Sequence, residues 1–370
     1  MTTTYGLGYR PALDGVRAIA ILAVLARHSG LLPAGYLGVD IFFALSGFLI
    51  TSLLVEEYAA TGTIALRLFY ARRALRLLPA LLGLLIVCTI VHLATLPPEW
   101  GPLALQQAAV VLFYVANWAW AIGLPLGLYS HAWSLAIEEQ FYVLWPLALL
   151  GLLRVVHDRR IIAVLVLAAA GVGVVWRLAL VRAHVTFQHV YEGLDAHGDG
   201  LLIGCAAGLL LGAGAVRRAR GAGLVGVIGM AAMLALARYP DDYLHRHVST
   251  VVSLATALLV VHVWQEPRSV LARGLAAWPL AALGRISYGV YLWHFPVFYW
   301  CGALSLHDDS RPWPAILTAW VTTLAVAVAS YAVIERPALA LKSTLATPTG
   351  VAISMSSTQD RSATTPPRSG

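Results

Sequence analysis

Apolar residues come in long blocks along this chain, and charged residues gather in the short gaps between them. Runs such as ALLGLLIVCTIVHLATL (80–96), IIAVLVLAAAGVGVVW (161–176) and AILTAWVTTLAVAVASYAVI (315–334) approach the roughly 20 residues that a membrane-crossing helix needs. Hydropathy marks eleven such segments: 16–34, 38–56, 77–96, 103–121, 132–153, 160–179, 198–215, 222–238, 249–265, 283–304 and 314–334. The fold class this predicts is all-α, a polytopic transmembrane helical bundle within residues 1–342. From 343 to 370 the chain is rich in Ser, Thr, Pro and Gly, which predicts a disordered cytoplasmic tail. No internal repeat and no long soluble insertion breaks the pattern.

Composition excludes the soluble alternative. The 370 residues have a mean hydropathy of +0.77, with 59% hydrophobic and only 12% charged, about half the usual charged share. A soluble domain has too few buried positions for that much apolar surface. The net charge of +7 would suit a nucleic-acid binder, but the Lys and Arg residues sit in short loops, where they set orientation in a bilayer. The expected partner is the lipid bilayer, and no nucleic acid. Cys88, Cys205 and Cys301 lie far apart inside apolar segments, which reads as small buried hydrophobes with no metal motif. Residues 18–26 are short enough for a signal peptide, but Arg27 and His28 stand where a cleavage site should be, so this is a retained first helix.

Positive charge then tests the count. The loop carrying Arg67, Arg72, Arg73 and Arg76 should be cytoplasmic, and so should the loop carrying Arg154, Arg159 and Arg160. Three segments lie between them, and an odd number would put the two loops on opposite faces. One of the three should therefore not cross fully. The choice is 132–153, which carries two adjacent glutamates; non-spanning backbone at membrane depth is tolerated where it lines a wet cavity. That leaves about 10 spanning helices plus one partial or re-entrant segment. Both termini are then cytoplasmic, Arg217, Arg218, Arg220, Arg268 and Arg273 also fall inside, and the protein is multi-pass in the cell membrane.

Ionisable groups inside membrane segments are costly and so mark functional candidates. Asp14, Arg17 and His28 lie in the first segment, Asp40 and the Ser46–Gly47 step in the second, and Arg72, Arg73 and Arg76 at the start of the third. HAWSLAIEEQFYVLWP supplies His131, Ser134, Glu138 and Glu139, and GRISYGVYLWHFP supplies Arg285, Tyr288, Tyr291 and His294. Each has a plainer reading. Arg17 can snorkel, Asp40 suits a helix N-terminus, Ser46–Gly47 suits close helix packing, and Trp and Tyr suit interfacial belts. Arg17 and His28 nonetheless share one helix face, about 16 Å apart along the axis: two stations on one wall. A histidine beside carboxylates suits general-base catalysis, and arginines at the membrane edge suit bidentate phosphate binding. Together they point to transfer chemistry with a phosphorylated donor. His184, His189 and His197, with Glu192 and Asp195, read as a wet loop near an acceptor entrance rather than a metal site.

These motifs, taken in order, resemble the membrane-bound acyltransferase-3 family, whose members O-acylate sugars and related hydroxyl compounds. Arg17 and His28 fit its arginine–ten residues–histidine pattern, and GVDIFFALSGFLI (38–50) resembles its second-helix signature. RRALRLLP fits its paired-arginine motif through Arg73 and Arg76. WSLAIEEQFYVLWP (133–146), ISYGVYLWHFP (286–296) and IERP (334–337) resemble its later blocks, so the likeness runs from about Pro11 to Pro337. The resemblance implies acyl transfer from a cytoplasmic acyl-CoA donor to a hydroxyl of a carbohydrate or glycosylated acceptor, with no bound cofactor and no metal. It implies His28 as base or acyl relay, supported by Arg17, with Asp40 or Glu138 orienting its ring. Arg73 and Arg76 would bind the donor. Ser46, Trp133, Ser134, Glu139, Tyr288 and His294 would support the site or face the acceptor. Some members carry an additional hydrolase-like domain, and the short, low-complexity end of this chain leads to the expectation of a stand-alone form.

Two other readings use the same residues. A transporter or flippase for an acyl donor or glycolipid would use buried charges as a path and make no covalent product. A silent membrane partner would tolerate loss of His28.

Overall fold

The computed structural model describes residues 8–344 apart from 96, 217–220, 238–244 and 307–310. Residues 345–370 of the expected tail, and Arg217, Arg218 and Arg220 of the orientation argument, lie outside the described residues. Every described element is helical. In chain order they are α1 (Pro11–His28), α2 (Gly38–Thr61), α3 (Leu66–Thr95), α4 (Gly101–Leu112), α5 (Ala116–Ala121), α6 (Trp133–Val155), α7 (Arg159–Arg182), α8 (Phe187–Glu192), α9 (Leu194–His197) and α10 (Asp199–Gly212). They continue as α11 (Ala222–Leu236), α12 (His245–Gln265), α13 (Val270–Leu275), α14 (Trp278–Arg285), α15 (Ser287–Trp300), α16 (Trp313–Ser330) and α17 (Arg336–Thr344). Pro at the start of α1, α4, α14 and α16 costs nothing, because the first N–H groups of a helix have no internal partner.

Among the described residues, six helical stretches are long and apolar enough to cross a membrane: Pro33–Thr61, Leu66–Thr95, Gly127–Val155, Arg159–Arg182, His247–Gln265 and Trp313–Leu341. Their outer faces are apolar, with Ile90 61%, Val172 69% and Val321 66% exposed, the reverse of a soluble surface and suited to lipid. The expected count of about 10 is not reached by this measure. α1 carries Asp14, Arg17 and Arg27 within 18 residues, α10 and α11 have 14 and 15, and segment 283–304 is divided at Ile286 between α14 and α15.

The segment expected not to cross, 132–153, needs correction: it is part of a continuous helix. Its glutamates do not break it because Ser46 donates to Glu138 at 2.6 Å and Arg17, Arg73 and Arg76 lie within electrostatic reach. The interruption falls instead in 103–121. α4 ends at Leu112, Tyr114 turns to φ 54°, and α5 restarts at Ala116. Gln140 from α6 braces the break, donating to the Tyr114 carbonyl at 2.7 Å and to Asn117 Oδ1 at 2.9 Å. A hydropathy window averages over three such residues and does not register them.

Two close contacts fix the frame around the polar groups. α2 and α10 meet backbone to backbone: a Cβ at Gly47 would lie 2.0 Å from the Leu201 carbonyl oxygen, and one at Gly204 2.0 Å from that of Ala44. The plainer reading of Ser46–Gly47 thus holds for the glycine. α1 is clamped in the same way, since a Cβ at Gly284 would lie 1.8 Å from the Asp14 carbonyl oxygen. Gly204→Leu should separate α2 from α10 at a cost of at least about 1–3 kcal/mol. Thermal unfolding of the purified protein in detergent reads this, and an unchanged midpoint would contradict the contact.

Candidate active site

The polar groups fall into three clusters. The first gathers around the N-terminal half of α1. Arg17 Nη1 donates to Asp14 Oδ1 at 2.9 Å on the same helix. Arg73 and Arg76 come from the start of α3, Ser46 from α2, Glu138 and Glu139 from α6, and Tyr288 from α15, donating to the Leu77 carbonyl at 2.9 Å. The Arg73 guanidinium lies 4.1 Å from the centre of the Tyr142 ring, a cation–π contact. Among the described residues neither Arg73 nor Arg76 has a hydrogen bond or ion pair. Arg17, Ser46, Arg73, Arg76, Glu138, Glu139 and Tyr288 all keep part of their surface accessible although they face one another inside the bundle. They form a partly accessible polar cleft.

The second cluster surrounds the other end of α1. His28 Nδ1 lies 3.0 Å from His294 Nε2, and His294 Nδ1 lies 2.6 Å from the Tyr291 carbonyl oxygen. His131 completes the group, its ring 5.2 Å from His294 and stacked on Phe295 at 5.1 Å. Its Nε2 lies 3.1 Å from the Leu292 carbonyl oxygen. That carbonyl is free because Pro296, four residues on, has no N–H to return to it. The backbone at His28 is held separately: Ser305 N–H donates to its carbonyl at 2.7 Å, and Arg27 donates to the Leu306 carbonyl at 3.0 Å. The arginine beside the histidine is therefore an anchor. Ser134 bonds the Tyr291 hydroxyl at 2.6 Å, and that hydroxyl donates to the His131 carbonyl. Both hydroxyls are thus engaged in joining α6 to α15.

Asp40 belongs to a third cluster. It pairs with His197 Nε2 at 2.8 Å, while His197 Nδ1 faces the Tyr191 carbonyl. Arg177 and Asp199 pair nearby at 3.0 Å, and Trp133 stacks on His197 at 5.9 Å. Neither Asp40 nor Glu138 is hydrogen-bonded to His28; that bond is made by His294. The three loop histidines do not converge either. His189 pairs with Asp195 at the surface, whereas His197 and Glu192 are buried. Burial pushes Glu192 up to about 9, so it is neutral at pH 7.

Burial works against a charged His197, but the Asp40 carboxylate outweighs it and holds this imidazole above its ordinary range. A group raised on folding contributes stability that is complete below its unfolded pKa of about 6.5 and is lost as pH rises through the folded value. The thermal midpoint should therefore fall as pH increases above about 6.5, and His197→Gln should remove that part of the dependence. Parallel midpoints across pH for the two proteins would contradict the ion pair.

Sequence reasoning named His131 and Tyr291 without a role and missed Gln140, Arg177 and Asp199. Pro296 was the usable signal for His131, since it predicts an unpaired carbonyl at Leu292. Glu335, in the quoted IERP block, ends a π-helical turn (Tyr331–Glu335) and is only 6% exposed. Such turns insert one residue into a helix and re-aim a side chain.

Compared with known proteins, residues 10–334 match the family model described as an acyltransferase domain. The chain is 32% identical over 357 residues to the peptidoglycan O-acetyltransferase OatA of Listeria monocytogenes, covering 91% of this chain and 57% of that protein. It is 33% identical over 356 residues to the O-acetyltransferase OatA of Staphylococcus aureus, covering 90% and 58%. The chain spans a little over half the length of these curated relatives. No solved structure matches it.

Proposed function

Since this chain belongs to the acyltransferase domain family, we propose that it is an O-acyltransferase moving an acyl group from cytoplasmic acyl-CoA to a carbohydrate hydroxyl. The observation that carries this reading is the division of α1, with a histidine cluster at one end and unpaired guanidiniums at the other. Arg73 and Arg76 suit the donor's phosphates, because among the described residues neither guanidinium is tied up in a hydrogen bond or ion pair, which leaves its N–H donors available to a ligand. Arg17, tied to Asp14, supports the same cleft. The pantetheine arm then spans the interval of about 16 Å along α1 to His28.

His28 takes the proton from the acceptor hydroxyl as its oxygen attacks the thioester carbonyl. A C–O bond forms, the C–S bond breaks, and the imidazolium returns the proton to the departing thiolate. The relatives' names favour acetyl as the group and a cell-wall carbohydrate as the acceptor. In this arrangement both termini and the arginine-rich cleft face the cytoplasm. No observation favours movement of a donor or glycolipid without chemistry.

The test is mass spectrometry of envelope sugars and glycolipids from cells expressing wild type or His28→Ala at matched levels. The expected result is an acyl-sized increment on a hydroxyl, present only with wild type. An increment that survives His28→Ala would remove His28 from the reaction, and its absence with both proteins would refute acyl transfer.

A further inference from the structure

We propose that His294 sets the tautomer of His28, so that Nε2 of His28 is the basic nitrogen. The assignment rests on a chain of donors and acceptors with only one consistent direction. A backbone carbonyl can only accept, so His294 Nδ1, 2.6 Å from the Tyr291 oxygen, carries the hydrogen. In a neutral ring Nε2 then holds the lone pair. That lone pair faces His28 Nδ1 at 3.0 Å, so His28 Nδ1 must be the donor. The lone pair of His28 is left on Nε2, for which the described residues provide no hydrogen-bond partner.

This does for His28 what a carboxylate does for the histidine of a serine-hydrolase triad: one ring nitrogen is held so that the other can act. The difference is charge. His294 is a neutral acceptor, so it aligns the ring in the resting state without binding an imidazolium in advance. When His28 gains a proton at Nε2, its Nδ1–H still points at His294, and the bond becomes charge-assisted. No rotation is needed between the two states. The fold supports His294 in turn, since its Nδ1 is anchored within α15 and its ring packs edge-on against Phe298 at 5.9 Å. His294 is thus a positioning residue, and the catalytic consequence rests on the acyl-transfer reading.

Two variants and two readouts test this. His294→Leu removes the acceptor, whereas His294→Gln keeps a carbonyl oxygen that can accept from His28 Nδ1–H. In bilayers, 15N NMR of histidine-labelled protein, with His28 assigned by its loss in His28→Ala, should show the Nδ1–H form in wild type and His294→Gln. The Nε2–H form should grow in His294→Leu. In parallel, kcat should fall about 10²-fold in His294→Leu with both KM values held, and stay within about 10-fold in His294→Gln. An Nε2–H signal for wild-type His28, or equal tautomers in the leucine and glutamine variants, would overturn the assignment. Full turnover by His28→Ala would instead refute the acyl-transfer role, and the NMR result would stand apart from it.

Discussion

Replacing His28 with alanine should lower the rate of acyl transfer by about 10²–10⁴-fold, with the amount of folded protein unchanged. The rate loss is that of a general base whose proton has no alternative receiver. The other two imidazoles are held in different places, His131 by the Leu292 carbonyl and His294 by that of Tyr291, so neither lone pair occupies the position of His28 Nε2. Folding should survive because the bonds that hold this end of α1 are made by the backbone. Ser305 bonds the His28 carbonyl and the Ser29 hydroxyl bonds that of Leu25, both independent of the imidazole. The variant leaves His294 Nε2 without its donor, a cost of about 1–3 kcal/mol. Initial rates with purified protein, normalised to the folded fraction, provide the measurement. Activity within tenfold of wild type would remove His28 from the chemistry.

The second large effect concerns the donor. Arg76→Ala should raise the KM for acyl-CoA by about 10–150-fold, the equivalent of one hydrogen-bonded ionic contact of about 1.5–3 kcal/mol, with kcat little changed. Arg73→Ala should act in the same direction and also lose its stacking on Tyr142. Lysine at position 76 should restore only part of the affinity, because an ammonium cannot form the paired bonds of a guanidinium. A phosphate-free donor separates this from a general disturbance: S-acetylpantetheine should show the same KM with wild type and with Arg76→Ala. If the variant weakens both donors equally, Arg76 does not read phosphate.

The helical character, the polar stretches and the shared face of Arg17 and His28 were legible because they depend on local periodicity. Pairings across the bundle were not. Asp40 and Glu138 were both carried as orienters of His28, and neither is hydrogen-bonded to it, because their partners, His197 and Ser46 respectively, are assigned by helix packing and lie 157 and 92 residues away. His294 is 266 residues from His28, and nothing in one strand of sequence says which of several buried polar groups will meet it. The misplaced interruption has a different cause. Two adjacent glutamates looked like a break, yet their charges are met from neighbouring helices, whereas the true break at Phe113–Val115 is written in residues that score as apolar.

The seam between α2 and α10 also bears on how this chain can change over generations. At most buried positions a larger side chain can be answered by a smaller one opposite. At Gly47 and Gly204 the added carbon would strike a peptide oxygen, which no exchange of residues can trim. These two positions therefore have no compensating partner, and any lineage that keeps the fold must inherit them as they are. The lipid-facing residues of α7 and α16 carry no such debt and are free to drift.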